Sequence, residues 1–91
     1  MKLLQKKHWD ALYKMAEKKW HWVVPTKVDY TYCFLEFNSN GDIELEQSYK
    51  DNVLNRTFRK DAYTTQDLTD FQWGLLRVGY DVFIKYKDNY K

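Results

Sequence analysis

At 91 residues the chain is one domain, and a domain this small buries only roughly 60–65% of its unfolded surface, so its core must be dense. The 44% hydrophobic and 31% charged fractions exclude a disordered segment, and no apolar run approaches the ~20 residues of a membrane span. Net charge is +2, arranged in alternating blocks that are basic over 1–20, acidic over 29–51, basic over 52–60 and acidic over 61–81; such blocks satisfy each other within one fold and argue only weakly for nucleic acid.

The single cysteine, Cys33, leaves no partner for an internal disulfide and fits a reducing compartment. The start, Met1-Lys2-Leu3-Leu4-Gln5, lacks the apolar stretch of a signal peptide, so a cytoplasmic location is expected. Heavy use of Lys, Tyr, Asn and Asp beside few Ala, Gly, Pro and Arg marks AT-rich coding, common in low-GC bacteria and their phages.

The spacing predicts a helix over 2–21. Gln5, Trp9, Leu12, Tyr13, Ala16 and Trp20 fall on one stripe, with Lys6, Lys7, Asp10, Lys14, Glu17 and Lys18 opposite. It must stop by Val24, because the residue before Pro25 is pushed to extended geometry.

Three strands are expected near 28–37, 43–49 and 53–59. Asn40-Gly41 sits between alternating runs and reads as a two-residue hairpin turn; Asp51-Asn52 reads as a second. Under that register Val28, Tyr30, Tyr32, Phe34, Ile43, Leu45, Tyr49, Leu54 and Phe58 share the core face. Cys33, Leu35, Phe37, Glu44 and Glu46 then share the other, with Arg59 directly opposite Glu44.

The last element is predicted as a helix from Thr65, with Thr64 as cap and Asp67 three residues on. Leu68, Phe71, Leu75, Val78, Val82 and Tyr86 form its apolar face. Gly74 and Gly79 each weaken it by about 1 kcal/mol, so a break near Gly79 with a strand at 82–86 is the rival. The fold class is therefore α+β in the order αβββα: a three-stranded antiparallel meander with both helices packed on one face.

No motif for catalysis, a metal or a cofactor emerges, and none of the three is expected. His8 and His21 have no second ligand at metal spacing. Counted from Asn38, a calcium loop would need Gly at Ile43 and Glu at Tyr49, so the stretch 38–42 is a turn. Glu44 and Glu46 share a face, but mid-strand and with no implied pocket.

The predicted element order resembles that of the double-stranded-RNA-binding domain. That family's basic cluster at the start of its second helix is replaced here by Gln66, Asp67 and Asp70, which repel phosphate. The same order occurs in some small phage inhibitors of bacterial defence nucleases.

The expected function is non-enzymatic protein binding: an inhibitor or modulator of a host complex, encoded by a phage or other mobile element. Its contact surface is placed on Cys33, Leu35, Phe37, Glu44, Glu46 and Arg59, with Trp22 as an exposed aromatic. The expected partner is another protein with a basic surface, or a second copy paired through the first strand. The alternative is a nucleic-acid module using Lys6, Lys7, Lys14, Lys18, Arg56, Arg59 and Lys60.

Overall fold

The computed structural model describes residues 2–27 and 29–89; Val28, placed on the core face from sequence, lies outside them. In chain order the elements are β1 (Lys2–Leu3), α1 (Lys6–Glu17), β2 (His21–Pro25), β3 (Tyr30–Phe37), β4 (Ile43–Tyr49), β5 (Asn52–Phe58), a 3₁₀ turn (Tyr63–Thr65), β6 (Asp67–Leu68) and α2 (Asp70–Asn89). The α+β class stands, but the meander has four antiparallel strands in the order β2-β3-β4-β5, and β1 pairs separately with β6.

The first helix is shorter than its periodicity implied. It ends without glycine: Lys19 takes φ +50°, its N–H donates to the Ala16 carbonyl at 3.0 Å, and the Trp20 N–H donates to Met15 at 3.0 Å. This is the paired-bond helix stop that usually recruits Gly, here built on lysine. It frees Trp20 to Pro25 for extended structure, and Trp22-Val23-Val24 becomes a strand. Pro25 closes that strand on the sheet edge, where a missing N–H costs no ladder bond.

The second helix starts five residues later than expected. Thr69 Oγ1 accepts from the Gln72 N–H at 3.1 Å, and Gln72 Oε1 accepts from the Thr69 N–H at 3.2 Å. That reciprocal pair is the capping box, five residues downstream of Thr64. From Asp70 the helix runs unbroken through Gly74 and Gly79, so 82–86 is helical, not a strand.

Gly41 has φ +82°, as its place in the turn requires. The loop, however, holds three residues. Asn38 and Asp42 close it through an N–H to carbonyl bond of 2.9 Å, and Asn38 Oδ1 accepts from the N–H groups of Asn40 (2.9 Å) and Asp42 (3.0 Å). Phe37 therefore faces Ile43 and Leu35 faces Leu45. The slip of one residue turns every β3 side chain to the opposite face from the one expected. The next hairpin turns at Lys50-Asp51, with Lys50 at φ +52° and Tyr49 opposite Asn52. That slip is two residues and leaves the faces of β4 and β5 as expected.

Both helices cover the face carrying Trp22, Cys33, Leu35, Ile43, Leu45 and Phe58, all buried. Leu12, Met15 and Ala16 come down from α1; Leu75, Leu76 and Phe83 come from α2. The Tyr13 ring meets Phe37 edge-on at 4.8 Å, and Trp9 stacks on Tyr63 at 5.1 Å. Two indoles pin α2 against the β2 end of the sheet. Trp22 Nε1 donates to the Leu75 carbonyl at 3.0 Å, and Trp20 Nε1 to the Gly79 carbonyl at 3.1 Å.

Candidate functional site

The inverted β3 register moves the expected contact surface indoors. Cys33, Leu35 and Trp22 are core residues, and Phe37 packs against it. Burial pushes the Cys33 thiol up to about 11, so it holds its proton at neutral pH and is no nucleophile. Arg59 does not face Glu44. Thr57 does, and Arg59 lies beyond β5, 3.6 Å from Asp61. Nor is β3 an edge: β2 and β4 take both sides, which removes it as a strand for self-pairing or strand addition. Glu44 and Glu46 remain on the open face.

Tyr30, Tyr32 and Phe34, expected on the core face, lie on the open face instead. One row runs Val23, Tyr32, Ser48, Val53 across all four strands; the next runs His21, Phe34, Glu46, Asn55. Tyr32 is 58% exposed, and Val23, Tyr30 and Val53 are exposed with it. The His21 ring leans on Phe34 at 6.3 Å. The third row places Glu36 directly opposite Glu44, with Glu46 one row away. Like charges opposite each other on neighbouring strands destabilise a sheet. Asn38 Nδ2 donates to Glu44 at 3.3 Å, but among the described residues no cation pairs with any of the three glutamates. The open face is thus an aromatic and aliphatic patch with an uncompensated acidic end. The three-residue loop closed by Asn38 and Asp42 is what turns Tyr30, Tyr32 and Phe34 outward.

The basic residues are divided. Lys6 pairs with Asp10 at 2.8 Å on the exposed side of α1. Arg56 is occupied within the fold: it donates to the Asp67 carbonyl and, at 2.8 Å, to Gln72 Oε1, and it lies over the Phe58 ring at 5.3 Å.

Two of the cavities among the described residues bear on a site. One, of about 650 Å³, lies between the helices and includes Lys7, His8, Trp73, Arg77 and Tyr80. The other, of about 660 Å³, opens at the far end of the covered face, beside Leu54 and Phe71. Among the described residues no group of three or more His, Cys, Asp or Glu side chains is placed to hold a metal ion, and no described helix is long and apolar enough to cross a membrane.

No family model, curated protein or solved structure matches the chain.

Proposed function

We propose that the chain is a small protein-binding module that acts through the open face of its four-stranded sheet. The observation that carries this reading is the coincidence on one uncovered face of Val23, Tyr30, Tyr32 and Val53 with Glu36 opposite Glu44. Exposed apolar patches of this kind are typical of protein contact surfaces, and tyrosine is enriched where partners meet. The acidic end sets the partner's character: an apolar centre flanked by Lys or Arg, whose approach relieves the Glu36–Glu44 repulsion. The small size and AT-rich coding bias fit an inhibitor or modulator of a host complex carried by a phage or other mobile element.

The test uses two substitutions with opposite expectations for stability. Tyr32→Asp should leave the melting temperature nearly unchanged, as surface substitutions usually do, and abolish capture of the partner held by the wild-type chain. Glu44→Lys should raise stability by about 0.2–1 kcal/mol by removing a like-charge pair, and should also lose the partner. If both variants keep the wild-type partner, or if Tyr32→Asp unfolds the chain, the open face is not the contact surface.

A further inference from the structure

The covered face of the sheet is not covered to its end. Where Leu35 and Leu45 lie beneath the helices they are fully buried, but Leu54, on the same face of β5, is 66% exposed. Phe71, in the first turn of α2, is 60% exposed. These two side chains flank the cavity of about 660 Å³, a volume within the range of small-molecule sites.

Its floor holds two polar side chains that the fold does not use. Gln47 is only 7% exposed and Thr31 only 4%. They sit on adjacent strands, because Cys33 faces Gln47 and Thr31 lies two residues back along β3. Neither the carboxamide of Gln47 nor the hydroxyl of Thr31 has a hydrogen-bond partner among the described residues. No described polar side-chain atom is sealed from solvent without a partner, so the little exposure these residues keep is at their polar ends, where they line the cavity. Buried polar groups are almost always paired; these two polar ends have no partner among the described residues and open only onto the cleft, so they are free to bond whatever enters it. The neighbouring Gln72 side-chain oxygen is already engaged by Arg56 and by the Thr69 N–H.

The lining also states the charge of what enters. No Asp, Glu, Lys, Arg or His contributes to it, and an ion brought there would lose its hydration with no opposite charge to meet it. A carboxamide offers one acceptor and two donors side by side. Its complement is an edge that carries a donor and an acceptor together, as an amide or lactam does. We infer that this cleft, at the open end of the covered face between β4, β5 and the start of α2, is a binding site for a small neutral molecule with an apolar or aromatic body and one amide-type edge. The edge meets Gln47 and Thr31, and the body lies between Leu54 and Phe71.

Four probes sharing one aromatic ring separate edge from body and from charge: benzamide, toluene, benzoate and benzamidinium, each titrated into the intact chain and followed by amide and side-chain NMR shifts. Benzamide is expected to move the Gln47 side-chain NH₂ and the Phe71 ring saturably, and to bind at least five-fold more tightly than the other three. Gln47→Leu should weaken benzamide about ten-fold and leave toluene unchanged; Thr31→Val should weaken benzamide in the same direction. Gln47→Leu should melt no lower than wild type, since it replaces an unpaired polar group by an apolar one of similar size. The proposal fails if benzamide does not saturate up to its solubility, if it binds no better than toluene, or if Gln47→Leu leaves its affinity unchanged. It fails equally if the Leu54 and Phe71 signals shift with protein concentration alone, which would make a second copy of the chain the occupant.

Discussion

The surroundings of His8 disfavour its protonation. Partial burial lowers its pKa below the ordinary 6.5, and Lys7 and Lys2 push in the same direction. Its Nδ1 accepts the Gln5 N–H at 3.2 Å at the start of α1, a bond that protonation would destroy. Its ring also meets Trp73 edge-on at 4.5 Å. A base whose folded pKa is depressed adds stability that is fully present above its unfolded pKa. That stability is lost as the pH falls from there through the lower folded value. Melting temperature should therefore decline between about pH 7 and pH 5 more steeply in the wild type than in His8→Gln, whose side-chain oxygen still accepts at the helix start but does not titrate. Parallel curves for the two proteins would show that His8 contributes nothing to the pH dependence.

The same substitution at two glycines of α2 should have opposite effects. A Cβ on Gly79 would sit 2.3 Å from Trp22 Cε2, and that indole cannot retreat without losing its bond to the Leu75 carbonyl. A Cβ on Gly74 meets nothing within 4 Å. Gly79→Ala should cost about 1–3 kcal/mol through overpacking, whereas Gly74→Ala should gain about 0.5–1 kcal/mol from helix propensity alone. For a domain of this size each kcal/mol moves the melting temperature by about 4–8 °C, so thermal melts of the two variants separate cleanly. A Gly79→Ala protein as stable as Gly74→Ala would mean that the indole contact does not hold α2 in place.

Across the described residues, several of the cations are engaged within the fold. Arg56 is occupied by Asp67 and Gln72, Arg59 lies next to Asp61, and Lys6 is tied to Asp10. The open face carries acid at one end, and α2 begins with Asp70. Filter-binding or anisotropy titrations with duplex and single-stranded DNA and RNA at physiological salt should give nothing tighter than the non-specific range of about 10⁻⁴–10⁻⁶ M. A dissociation constant near 10⁻⁸ M with a steep salt slope would instead require an extended phosphate-binding surface and would displace the protein-binding proposal.

The sequence by itself misplaced the buried face of α2, where Phe71, Val78, Val82 and Tyr86 are exposed and Leu76 and Phe83 join Leu75 in the core, but it determined the α+β class, the presence of both helices, the antiparallel pairing of β3, β4 and β5, the positive φ of Gly41 and the core-facing sides of β4 and β5. These follow from local rules: periodicity, turn chemistry and propensity. It could not determine which side of β3 faces the helices, because Tyr30, Tyr32 and Phe34 on one side and Cys33, Leu35 and Phe37 on the other are both apolar. Alternation discriminates only when one face is polar. The loop length then decided the matter: Asn38, bonding to Asn40 and Asp42, makes it three residues and not two. The strand β2 was hidden for a related reason. The helix before it stops on a lysine with positive φ, where sequence rules look for glycine, and Trp22 becomes a core residue only because Gly79, 57 positions away, leaves room for its ring. The contact face and the neutral cleft are both products of such long-range packing: the helices reach Leu35 and Leu45 but not Leu54, and what they leave bare is decided by how the elements dock.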